Sequence, residues 1–132
     1  MASGDGVGEG DVAAEAARLA RRREETVRQV ASLTRDFDEI VEGSELVNTD
    51  DEHDPEGATI AFERAQVLAL LASARERLAA LDAARERLAA GRYGTCAACG
   101  RPIPPERLDA VPDTTRCVAC ADAASLTSLR AR

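Results

Sequence analysis

The sequence predicts an all-α protein: a long antiparallel two-helix coiled-coil hairpin, followed by a small C-terminal module built on four cysteines and a short terminal helix. Three observations carry that expectation. Apolar residues recur at alternating steps of three and four along two stretches of about thirty residues each. Gly43 and a polar connection separate those stretches, and all four cysteines fall in two Cys-x-x-Cys pairs, Cys96/Cys99 and Cys117/Cys120. Two Phe, one Tyr and no Trp leave too little bulky mass for a wide globular core, while Ala, Leu, Arg and Glu dominate, as in long helices.

Residues 1–10, MASGDGVGEG, hold four glycines and no periodic apolar residue, so a disordered tail is expected there. A hairpin is expected over 11–91. Asp11 offers an N-cap, and Ala16, Leu19, Thr26, Val30, Leu33, Phe37 and Ile40 form the seam of the first helix, with Arg23 as a gap. Gly43 is the expected stop, and the tip loop is placed near 43–58. Asp54-Pro55-Glu56 has an N-cap, a first-position proline and a first-turn acid, which opens the second helix. Its seam runs Ile60, Arg64, Val67, Leu71, Ala74, Leu78, Leu81, Arg85 and Leu88 up to a stop at Gly91. The segment ARERLAA occurs at 74–80 and again at 84–90, an offset of one heptad plus three that keeps this seam continuous.

Residues 92–120 form the cysteine module. Two tight Cys-x-x-Cys turns separated by seventeen residues bring four thiolates to one ion and close a tetrahedron, so the metal is structural and leaves no position for substrate. One Zn²⁺ on Cys96, Cys99, Cys117 and Cys120 is the reading that fits best, and iron bound in the rubredoxin manner stays open on spacing alone. Two disulfides would require an oxidising compartment, and residues 1–30 contain no apolar run of signal-peptide type. Arg92, Arg101 and Arg116 are the expected counter-charges to the thiolates, Tyr93 is expected on the knuckle, and Ile103, Leu108 and Val111 as the apolar filling. Residues 121–132 read as a short helix or tail.

The run Tyr93-Gly94-Thr95-Cys96-Ala97-Ala98-Cys99-Gly100, then Arg107-Leu108-Asp109-Ala110-Val111-Pro112, then Cys117-Val118-Ala119-Cys120, resembles the C4-type zinc finger of the DksA/TraR family. The resemblance implies a cytoplasmic bacterial transcription regulator that binds RNA polymerase and inserts a helical hairpin into the secondary channel, with no need to bind DNA. It also implies that acids at the hairpin tip reach toward the polymerase active centre and its Mg²⁺. Here the tip candidates are Asp50, Asp51, His53, Asp54 and Glu56. The family's tip pattern Asp-x-x-Asp-x-Ala fits in two partial ways. Asp51-Glu52-His53-Asp54 supplies both acids but is followed by Pro55-Glu56, whereas the frame from His53 to Ala58 keeps the alanine and Glu56.

Charge points the same way. The net −7 opposes non-specific attachment to nucleic acid or to an anionic membrane, and a protein partner suits it better. From Asp36 to Glu56 there are ten Asp or Glu and no Lys or Arg, a crowding of like charge whose tip lies far from any counter-charge on the chain. A two-helix tip has no walls to exclude water, so an enzyme is not expected. Two alternatives are a zinc-dependent DNA-binding module using Arg92, Arg101, Arg107 and Arg116, and a scaffold that homodimerises through Leu68 and Leu70. The first is weakened by a net charge of only +1 over 91–120, from four Arg against Glu106, Asp109 and Asp113. A monomer is expected.

Overall fold

Four helices follow one another in the order α1 (Glu9–Leu46), α2 (Pro55–Ala89), α3 (Pro105–Ala110) and α4 (Val118–Arg130). The computed structural model describes residues 9–46 and 55–130, and its chain divides into two compact units, residues 24–78 and residues 1–23 with 79–132. Among the described residues there is no strand, only one isolated antiparallel bridge between Thr95 and Pro102.

In the unit of residues 24–78, α1 packs on α2 in the antiparallel sense. Thr26, Leu71 and Ala74 are buried, while Val30, Leu33, Phe37 and Ile40 on α1 and Ile60, Arg64, Val67 and Leu78 on α2 are half-buried. These are the seam residues expected from the heptad rhythm. Toward the connection, an open groove of about 580 Å³ is lined by Asp36, Ile40 and Gly43 of α1 and by Ile60, Glu63 and Val67 of α2.

Gly43 does not end the first helix, which runs on to Leu46, and the second begins at Pro55, so helix occupies both ends of the tip loop expected over 43–58. Glycine costs a helix interior about 1 kcal/mol relative to alanine, but the turns on either side continue the hydrogen-bond ladder across it. A Cβ at Gly43 would meet nothing within 4 Å. Gly43→Ala is therefore expected to stabilise the protein by ~0.5–1 kcal/mol, read as a higher thermal midpoint. At the other end of α1, helix begins at Glu9, two residues before the expected cap and inside the stretch 1–10 expected to be disordered.

In the second unit the core is Leu19 of α1, Leu81 and Ala84 of α2 and Tyr93, with Leu88 and Leu108 packed against it. The seam shifts by one position here. Arg85 is the expected seam residue, yet its side chain is 51% exposed while Ala84 is fully buried. A period of 3.6 leaves positions 84 and 85 flanking the contact line, and burying a methyl avoids desolvating a guanidinium. Ala16 is likewise exposed. The gap at Arg23 is bridged: its Nε donates to Asp82 Oδ1 at 2.7 Å, pairing α1 with α2 by charge where neither offers an apolar side chain. Partly exposed as it is, that pair contributes less than about 1 kcal/mol. Leu81→Ala removes a side chain that is 1% exposed, so a loss of ~2–5 kcal/mol in chemical denaturation is expected.

Candidate metal centre

The four cysteines meet where the chain leaves α2. Gly91 (φ 74°) stops that helix in the left-handed region, and the amide of Arg92 donates to Arg87 O at 2.8 Å. Gly94 (φ 86°) turns the chain again, and a Cβ there would already touch Leu108 Cδ1 at 3.6 Å. The first knuckle then closes through short backbone bonds, from the amide of Cys96 to Arg101 O at 2.9 Å and from that of Gly100 to Cys96 O at 2.9 Å. Gly100 (φ 75°) supplies the last left-handed position. Ile103 N–H donates to Gly94 O at 2.7 Å, which seats the buried Ile103 side chain behind the knuckle.

Proline at 104 and 105 cannot donate backbone hydrogen bonds, which suits the chain entering α3, where those amides would have no partner. Arg107, on that short helix, organises the approach to the second pair. Its Nε donates to Arg116 O at 2.8 Å and its Nη2 to Thr114 Oγ1 at 3.3 Å, while the Thr114 hydroxyl donates to Arg116 O at 2.9 Å. The two arms are tied to each other by the amide of Ala97 donating to Thr115 O at 2.7 Å. Cys117 precedes α4 and Cys120 lies in its first turn, so the second knuckle is the start of a helix, not a free turn. The terminal helix therefore begins three residues ahead of the expected position at 121.

This framework gathers the four sulfurs within 4.8 Å of one another, with Cys99 and Cys117 Sγ 4.0 Å apart and none joined in a disulfide. A tetrahedral Zn²⁺ with Zn–S bonds of about 2.3 Å needs sulfurs about 3.8 Å apart, so the cage fits one ion after small adjustments. Cys96 is buried and the other three are more open. The backbone N–H groups of Cys117, Cys99 and Ala98 point at the Cys96 sulfur and hold its pKa down to about 6. Hydrogen bonds to the Cys117, Cys96 and Cys99 sulfurs push Cys120 up to about 12. Charge compensation thus comes first from amides. The guanidinium groups of Arg92, Arg101 and Arg116 are the source expected from the sequence, but they are not among the donors to the Cys96 sulfur.

Tyr93 differs from expectation as well. Rather than lying on the knuckle alone, it joins Leu19, Leu81 and Ala84 in the core, and its hydroxyl donates to Pro112 O at 2.8 Å. Burial, reinforced by the nearby Glu15 carboxylate, raises its pKa and keeps it a neutral donor. Arg18 of α1 bridges Glu15 and Asp109 at 2.8 Å each, a second tie between the first helix and α3. Val111, expected in the apolar filling, is 38% exposed, and Pro112 takes the buried place beside Tyr93. Thr114 and Arg18 belong to no periodic pattern or ligand motif, and Arg107, part of the run that resembles the family's finger, carries no sequence sign of the bonds it makes to Arg116 and Thr114. Of the tip candidates, Asp50, Asp51, His53 and Asp54 lie outside the described residues, and Glu56 falls in the first turn of α2.

Residues 91–125 match the model of the prokaryotic dksA/traR C4-type zinc finger. Among solved structures, the chain is similar to transcription factor DksA2 from Pseudomonas aeruginosa, with a TM-score of 0.75 over 92% of this chain and 88% of that one at 24% identity, a likeness of fold. It is also similar to the DnaK suppressor protein from Agrobacterium tumefaciens C58, at 33% identity over 85% of this chain and 92% of that one, with a TM-score of 0.52. None of the curated proteins matches the sequence. With four cysteines caged for a single structural Zn²⁺, a finger that fits the family model and one-third identity to a relative along nearly its whole length, the chain belongs to the DksA/TraR family of C4-type zinc-finger proteins.

Proposed function

We propose that the protein regulates transcription in the bacterial cytoplasm by binding RNA polymerase directly. The hairpin enters the secondary channel, the acids from Asp50 to Glu56 approach the active centre, and the zinc finger rests on the channel rim. The observation that carries this reading is a family zinc finger joined to an α1–α2 hairpin whose connection is strongly acidic: residues 50–56 include Asp50, Asp51, Glu52, Asp54 and Glu56 and no Lys or Arg. Like charges crowded in one connection repel one another, and a bound Mg²⁺ or a basic channel would relieve that repulsion. The protein performs no catalysis of its own in this reading. It alters the polymerase's chemistry by placing carboxylates near it.

Contact with DNA is not part of this function. Arg107, one of four arginines able to meet phosphates, is engaged inside the finger with Arg116 O and Thr114. Affinity capture from the native host with the purified, zinc-loaded protein is expected to retain RNA polymerase subunits, and a gel shift at physiological salt is expected to show no duplex binding. Capture that retains no polymerase subunit would defeat the proposal, and clear duplex binding would replace it with direct DNA recognition.

A further inference from the structure

One face of α1 turns toward the finger. Asp11, Ala14, Glu15 and Arg18 stand at steps of three and four, so their side chains share one side of the helix. Opposite them lie the knuckle ribbon, where Ile103 N–H donates to Gly94 O at 2.7 Å and Thr95 bridges Pro102, and the short helix α3 with Leu108 and Asp109. These two walls flank a cavity of about 550 Å³, within the range of small-molecule sites. Backbone hydrogen bonds fix the finger wall, and the Arg18–Asp109 pair joins it to the helix wall, so the cavity is already formed in the single chain.

The lining is largely apolar but carries an excess of negative charge. Ile103, Pro105 and Leu108 supply apolar surface, and three carboxylates, Asp11, Glu15 and Asp109, stand against the single guanidinium of Arg18. That guanidinium is already engaged, with Glu15 Oε1 and Asp109 Oδ1 at 2.8 Å each. The second oxygen of Glu15 is not: Oε2 is buried, and no donor among the described residues bonds to it. Tyr93 lies beside Glu15 and lines the same cavity, but its hydroxyl donates to Pro112 O at 2.8 Å and has only lone pairs left for a further neighbour. Arg87 is also near Tyr93, yet it does not line the cavity. A buried carboxylate oxygen without a donor is costly, and the group that relieves it best brings both N–H donors and positive charge to a lining rich in acids.

We propose that this cavity binds a small organic ammonium ion, a primary amine on an aliphatic body, with the ammonium on Glu15 Oε2 and the Tyr93 hydroxyl oxygen and the carbon chain against Ile103 and Leu108. The same carboxylates repel an anion, and a neutral alcohol gains the apolar contact without the charge-assisted hydrogen bond. The site is independent of any contact between the hairpin and RNA polymerase.

n-Butylammonium is the probe, and Tyr93, the only Tyr of a chain without Trp, is the reporter. Titrated into the zinc-loaded full chain at neutral pH and constant ionic strength, it is expected to change the Tyr93 fluorescence saturably. n-Butanol is expected to bind at least ~10-fold more weakly, and butyrate to give no response. Glu15→Gln keeps an oxygen for Arg18 and replaces the free one by a donor, so affinity for the ammonium is expected to fall by ~10-fold or more. Ala14→Leu fills the cavity from an exposed position and is expected to abolish the response, with zinc content and far-UV circular dichroism as in the wild type. No saturable response to n-butylammonium would leave a water as the partner of Oε2 and overturn the proposal. An equal response to n-butanol, or unchanged affinity in Ala14→Leu, would overturn it as well. Unchanged affinity in Glu15→Gln would remove that carboxylate as the partner of the ammonium.

Discussion

Stripping the zinc, by chelation or by Cys96→Ser, is expected to unfold the finger while the α1–α2 pairing of residues 24–78 keeps most of its helix. The finger has little else to hold it. Its buried side chains are few, Tyr93, Cys96, Ile103 and Pro112, and α3 buries no residue at all. Structural zinc typically contributes about 10–16 kcal/mol of apparent binding free energy, far more than those side chains supply. Tyr93 is the only Tyr of the chain and there is no Trp, so near-ultraviolet circular dichroism and intrinsic fluorescence report chiefly on the finger. The wild type is expected to hold one zinc per chain and to give a structured Tyr93 signal that collapses on chelation. Far-UV circular dichroism should retain most of its helical signal. Loss of all helix at the same chelator concentration would mean that the hairpin depends on the metal too, and an unchanged Tyr93 signal would mean that the cage is not needed for the finger to fold.

The second large effect is functional. Replacing Asp51, Asp54 and Glu56 together by alanine removes three negative charges from the net −7, and it touches none of the residues that pair α1 with α2 or build the finger. In the proposed mechanism those carboxylates carry the effect on the polymerase, while the hairpin flanks and the finger carry the binding. The triple variant is therefore expected to bind polymerase with nearly wild-type affinity and to leave transcription in vitro at the level seen with no added protein. Normal regulation by the variant would remove the acids from the mechanism. A parallel loss of binding would give them an anchoring role instead.

How much of this is legible beforehand depends on which residues obey a period. Leu19, Val67, Leu71, Ala74 and Leu81 are readable as seam residues because steps of three and four repeat for many turns, so each residue is supported by its neighbours. The metal cage is readable because a Cys-x-x-Cys turn fixes where two sulfurs go almost regardless of what surrounds it. Local rules fail where a longer-range term outweighs them. Gly43 reads as a stop on propensity, yet a 38-residue helix runs through it. Arg85 lies on the ideal seam, yet the desolvation cost of a guanidinium moves the contact to Ala84. The ties from Arg107 to Thr114 and Arg116, from Tyr93 to Pro112 and from Arg18 to Asp109 join residues that no spacing relates, and only the folded chain reveals them. The tip is the converse case, because its acids are plain in the sequence and their action needs a partner.

In the proposed mechanism the acidic connection itself enters RNA polymerase, and a photo-crosslinking amino acid at Glu52, between the paired acids, reports where it lies. With purified polymerase, crosslinks are expected to the subunits that line the secondary channel, suppressed by an excess of unlabelled wild-type protein. Crosslinks that form only from a finger position such as Arg101, with none from position 52 at saturating polymerase, would contradict it.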